Sequence, residues 1–150
     1  MGFFDRFKKN NNVETRNGLN KIYFDDGKSD QIKISFNSKD GNKDGLYEEF
    51  SKEGNLITRL NYQKGKKYGL CEEYSLEGSL SVRLNFKDGK SDGLYEKFYS
   101  SGQLEYKGEY LDNKKVGLWT DYYKNGNIKK EEVFKDGLKN SIKEWDEKGT

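Results

Sequence analysis

The sequence has no proline, no histidine and no alanine, and a single cysteine and methionine among 150 residues. Without histidine there is no Ser-His-Asp triad, no Cys-His pair and no imidazole metal ligand. Cys71 alone makes neither an internal disulfide nor a thiolate cage. Losing alanine, the strongest helix former, argues against a helical bundle. Leu, Ile, Val and Phe together make up 21%, near the roughly 20% level where disorder becomes plausible. No apolar run approaches the ~18 residues of a membrane helix, and no signal-peptide core precedes a small-residue cleavage site. The opening Met1-Gly2-Phe3-Phe4-Asp5-Arg6 lacks the Ser or Thr that myristoylation requires at its sixth position. With a net charge of only +2, the chain has no general attraction for nucleic acid. It reads as a soluble cytoplasmic protein.

What is present points to strands. Aromatics reach 15%, with 11 Tyr and 9 Phe, and there are 17 glycines. Disordered chains are poor in aromatics. Tyr and Phe suit strands, and glycines suit the turns between them. The expected fold class is all-β.

A repeat organises the chain. Gly45-Leu46-Tyr47-Glu48-Glu49-Phe50 recurs as Gly69-Leu70-Cys71-Glu72-Glu73-Tyr74, as Gly93-Leu94-Tyr95-Glu96-Lys97-Phe98 and as Gly117-Leu118-Trp119-Thr120-Asp121-Tyr122, always 24 residues apart. A second glycine follows nine residues later, at Gly54, Gly78, Gly102 and Gly126, and Gly65, Gly89, Asn113 or Gly137 follows at twenty. Gly18-Leu19 with Gly27 opens a fifth unit, and Ser141-Ile142 with Trp145 opens a truncated sixth. The chain therefore divides into an N-terminal segment, 1–17, and a repeat domain, 18–150.

Each unit reads as two strands and two turns. Lys52-Glu53-Gly54 fits a three-residue hairpin loop, and Asp88-Gly89 fits a two-residue one. If Ser51 and Asn55 close the first loop, Phe50 faces Leu56 and Leu46 faces Leu60. Leu46, Phe50, Leu56, Leu60 and Tyr62 then share an apolar face, repeated by Leu70, Tyr74, Leu80, Leu84 and Phe86. The expected architecture is an elongated antiparallel meander, or solenoid, of about ten or eleven strands. One unit cannot bury its own face, so neighbours must stack.

The pattern Gly-Leu-Tyr-Glu-Glu-Phe, then Gly, Leu, an aromatic and Asp-Gly-Lys, clearest over residues 93–127, resembles the variant MORN repeat of bacteria. The resemblance implies a binding scaffold. Small bacterial members of that family look like antitoxins or immunity proteins, which implies an intracellular protein that neutralises a cognate toxin by direct binding. Eukaryotic MORN proteins are associated with membranes and scaffolding, which implies the alternative of a non-catalytic scaffold or membrane-peripheral module. No enzyme activity and no cofactor are expected.

On the face opposite the apolar stripe, the third position of each unit supplies Tyr47, Cys71, Tyr95 and Trp119. The expected register sets these across from Arg59, Arg83, Lys107 and Glu131, with Tyr99 and Tyr123 on the same side. Tyr, Trp and Arg are enriched at interfaces, so Tyr47, Arg59, Arg83, Tyr95, Tyr99, Lys107, Trp119 and Tyr123 are the candidate partner-binding residues. The plainer reading is a set of ordinary cross-strand pairs on a solvated sheet. Glu48, Glu49, Glu72, Glu73 and Glu96 form a carboxylate row that either caps a basic site or offsets nearby lysines. Cys71 reads as drift at a packing position. Phe3, Phe4 and Phe7, followed by Lys8 and Lys9, fit a weak membrane contact or a hydrophobic plug on the first strand.

Overall fold

The computed structural model describes residues 17–25 and 30–150. They form one antiparallel sheet of 11 strands whose spatial order is the sequence order. The first six strands are β1 (Gly18–Tyr23), β2 (Ile32–Lys39), β3 (Asn42–Phe50), β4 (Leu56–Gln63), β5 (Lys66–Tyr74) and β6 (Leu80–Lys87). The rest are β7 (Lys90–Phe98), β8 (Leu104–Leu111), β9 (Lys114–Tyr122), β10 (Ile128–Lys135) and β11 (Leu138–Glu144). The all-β meander and its strand number agree with the repeat. Phe3, Phe4 and Phe7 of the N-terminal segment, and Gly27 of the first unit, lie outside the described residues.

Turn chemistry follows the sequence closely. The loop between β3 and β4 closes with the Ser51 N–H donating to the Asn55 carbonyl at 2.8 Å, and Gly54 supplies the φ of 86°. The β4–β5 turn needs positive φ at both central residues, Lys64 (49°) and Gly65 (79°), the mirror-image turn that matches strand twist. Asn113, at φ 68°, replaces glycine in the β8–β9 turn because asparagine tolerates the left-handed region. These turns also stack. Gly65, Gly89, Asn113 and Gly137 each donate a backbone N–H to the first strand of their own unit, at 2.8 to 3.1 Å. The turn that ends each unit is thus tied back to the strand that opens it, beyond the sheet ladder itself.

The register corrects one expectation. Phe50 does face Leu56, but Glu49 faces Thr58, so Ile57 is an extra residue on β4. Ser81, Glu105 and Lys129 are extra in the same way on β6, β8 and β10. One inserted residue turns every later side chain to the other face. Leu46 therefore faces Asn61 rather than Leu60, and Tyr47 faces Leu60 rather than Arg59. The expected single apolar face splits: Leu60 and Tyr62 lie on what we call the front, and Leu46, Phe50 and Leu56 on the back. In the next unit Leu84 and Phe86 are likewise on the front, and Leu70, Tyr74 and Leu80 on the back.

The core is a single row across the middle of the front face. Tyr47 sits between Phe36 and Leu60 in the ladder, and Leu84 between Cys71 and Tyr95. Trp119 faces Glu132. Among the described residues, Phe36, Leu60, Cys71 and Trp119 are the buried apolar ones.

Candidate functional site

Trp119 is the best-buried side chain, 1% exposed, and it anchors the front face. Around its indole lie the rings of Tyr110 at 4.9 Å, Tyr106 at 5.0 Å, Tyr95 at 5.6 Å and Phe134 at 6.2 Å between centroids. Room for the indole comes from Gly108, which stands where the two preceding units carry Leu60 and Leu84. A Cβ at 108 would fall inside the Trp119 ring. Tyr47 and Tyr62 pair edge to face at 5.7 Å in the same way farther along the array.

Lysines cover these rings. The Lys115 ammonium lies 4.3 Å from the Trp119 ring centroid and donates to the Tyr106 hydroxyl at 2.7 Å. Lys43 lies 4.5 Å from Tyr47 and 5.0 Å from Tyr62, and Lys67 lies 4.9 Å from Phe86. The three lysines open their strands at the repeat spacing, with Ser91 in the remaining slot. Cation–π contact favours the charged heads there, while their alkyl stems shield the rings from water. Burial nevertheless lowers the pKa of Lys43, with repulsion from Lys67 adding to it and Glu49 opposing it. Burial also lowers that of Lys115. Burial, aided by Glu49, pushes the Tyr47 hydroxyl up to about 12. Among the described residues, Lys43, Lys67 and Lys115 have no carboxylate ion-pair partner.

Toward β11 the front face changes character. Glu132 is 7% exposed and accepts from Lys139 at 3.1 Å, with Lys130 at 3.3 Å. Burial opposes its charge, yet the two lysines hold its carboxyl below the usual range. Lys130 also reaches Asp121 at 3.2 Å. This end of the array is a closed charge network.

The back face carries a ladder of alternating charge. Glu48 faces Arg59, which faces Glu72, which faces Arg83, which faces Glu96. Lys107 follows, then Thr120, Glu131 and Lys143. Arg59 meets Glu48 at 2.9 Å, while Arg83 lies 3.6 Å from Glu72 and 3.4 Å from Glu96. Arg83 stacks on Phe98 and Lys107 on Tyr122, each at 5.6 Å. Two apolar rows flank the ladder. One pairs Phe50 with Leu56, Tyr74 with Leu80 and Phe98 with Leu104. The other is Leu46, Leu70, Leu94 and Leu118, exposed at 39%, 42%, 43% and 51%.

The sequence-derived binding residues therefore do not form one surface. Tyr47 and Tyr95 are half-buried on the front and Trp119 is buried there, whereas Arg59, Arg83 and Lys107 project from the back. Trp119 faces Glu132, not Glu131. Tyr99 and Tyr123 tie loops together, their hydroxyls donating to the carbonyls of Tyr122 at 2.6 Å and Trp145 at 3.0 Å. Glu48, Glu72 and Glu96 join the ladder, while Glu49 and Glu73 point to the front. Cys71 is a core residue whose thiol is held up by burial. The cations that accompany the front-face aromatics are Lys43, Lys67 and Lys115. Their 24-residue spacing is visible in the sequence, but only the bulged register puts them on the aromatic side.

Among the described residues, no three His, Cys, Asp or Glu side chains cluster to hold a metal ion, and no helix is long and apolar enough to cross a membrane. Residues 43–64, 91–112 and 115–136 match the family described as MORN repeat variant. The matched stretches make up less than half of the chain, and over them it is similar to that repeat. No curated protein matches it. A solved structure titled "Crystal Structure of TarM" is similar at 20% identity and a TM-score of 0.40, over 62% of this chain and 20% of that one. The chain spans about a fifth of that structure's length.

Proposed function

We propose that this chain is a protein-binding repeat module acting inside the cell as an antitoxin or immunity protein, and that it neutralises a cognate toxin by covering it rather than by chemistry. The observation that carries the reading is the front face. Three ammonium groups there lie on aromatic rings and, among the described residues, have no carboxylate ion-pair partner. Burial has already stripped two of them, Lys43 and Lys115, of part of their water, so a partner's acidic groups would meet them at reduced desolvation cost. Aromatic side chains around them offer the rigid contact area typical of interface centres. The same features suit an anionic membrane surface, the reading as a membrane-peripheral module.

Co-expression with the product of a neighbouring toxic gene tests the main reading. Wild type should restore growth, and the Lys43→Glu, Lys67→Glu double variant should not, while folding normally by circular dichroism. A gene neighbourhood without a toxic product, or full protection by the double variant, would count against it. Sedimentation with vesicles rich in anionic lipid decides the other reading: pelleting of wild type but not of the double variant supports a membrane role.

A further inference from the structure

The back face has a second feature that partner binding on the front does not use. The charges of its ladder alternate strictly from strand to strand between β3 and β8, acidic on each odd strand and basic on each even one. The exposed leucines of its flanking row, Leu46, Leu70 and Leu94, stand on odd strands, and the even strands carry Asn61, Asn85 or Glu109 in register with them, with Leu111 exposed only at the end of β8. A surface with this two-strand period is complementary to itself under one kind of symmetry. A two-fold axis parallel to the strands, passing between neighbouring strands, lays every odd strand over an even one.

We propose that the back face seats a second copy of this chain, with the two-fold axis between β5 and β6. That placement sets Glu72 over Arg83 of the other copy, Arg59 over Glu96, and Glu48 over Lys107, each twice. Within the ladder no like charges meet from β3 to β8. An axis between β6 and β7 would instead bring Glu48 over Glu131. Under the chosen axis Leu70 settles opposite Asn85 and Leu94 opposite Asn61, so the leucines interleave rather than collide. Tyr74 likewise meets Leu80. Two sheets packed face to face lie ~10 Å apart, the reach of such side chains. Overlap of the eight strands from β2 to β9, at ~4.8 Å per strand and about 20 Å along each, covers roughly 770 Å² per copy, close to the ~800 Å² of a standard interface. Burying a leucine row that is otherwise in water favours the pair, and the alternating ladder selects its register. The dimer leaves the front face free and does not depend on what binds there.

Sedimentation equilibrium of the full chain tests it, up to about 100 µM, well above the ~µM Kd of the weakest standard-size interfaces. Wild type should dimerise with rising concentration. Glu72→Arg alone and Arg83→Glu alone should each sediment as monomers, because each sets like charges across the axis. An equimolar mixture of the two should regain the dimer, since the arginine introduced in one copy then meets the glutamate introduced in the other. Leu94→Glu, at a solvent-exposed position, should be monomeric with an unchanged circular dichroism spectrum. A wild-type monomer throughout this range would overturn the proposal. So would a dimer that survives Leu94→Glu, which would place the contact at a strand edge or on the front.

Discussion

The indole of Trp119 occupies the space that a side chain on its cross-strand neighbour Gly108 would fill. One period earlier the same two positions hold Leu84 and Tyr95, which face each other directly. Sister units thus reach similar packing with different pairs, a small residue offsetting a large one.

Gly108→Ala should destabilise the protein by about 1–3 kcal/mol through overpacking, despite being a minimal change. Trp119→Ala should cost about 3–5 kcal/mol by opening a cavity. The double variant Gly108→Leu, Trp119→Tyr copies the Leu84–Tyr95 pair and should lose less than its two single changes combined. Urea unfolding of the four proteins measures this, and strict additivity would contradict the pairing.

At Asn113 the backbone is left-handed, φ 68°, and its side chain accepts the Ser91 N–H at 2.7 Å. Asn113→Val should lower stability by about 1–3 kcal/mol, because a β-branched residue is strained at positive φ. Asn113→Gly should fall within about 1 kcal/mol of wild type, trading one hydrogen bond for a relaxed turn. Thermal melts of both variants check the order.

Alkaline titration should reveal Tyr47. Its pKa of about 12 in the folded chain exceeds the ordinary 10.0. A raised acid pKa means that the unfolded chain loses its proton first, so this stability is intact below pH 10.0 and is lost as pH rises to about 12. Absorbance of tyrosinate against pH should show a late-titrating group that disappears in Tyr47→Phe.

The Glu48–Arg59 pair, though only 2.9 Å apart, has an Arg side chain 48% exposed. A double-mutant cycle to alanine should give a coupling of about 0.2–1 kcal/mol, weakening in 1 M salt where the screening length is ~3 Å. A larger, salt-independent coupling would place the ladder in a drier setting than the free sheet provides.

Much of the fold was legible because it depends on residues with special backbone needs. Gly54, Gly65 and Gly89 mark positions of positive φ, and their 24-residue recurrence sets the strand number and order. The candidate site was less legible. Tyr47, Tyr95 and Trp119 stood out as aromatics, but the lysines that accompany them went unmatched while Arg59 and Arg83 were assigned in their place. The cause is the extra residue in each unit: Ile57, Ser81, Glu105 and Lys129 share no chemistry that would announce a bulge.

By itself, then, the sequence determined the repeat, the turns and an all-β meander, because glycine and Asp-Gly chemistry act over a few residues. Only the tertiary structure decided which face each side chain joins. Strand parity is reversed by a single inserted residue, and the hydrogen bonds to the next strand alone settle where that residue goes. Trp119 accordingly became core instead of surface, Lys115 its cover, and Arg83 a rung of the ladder behind it.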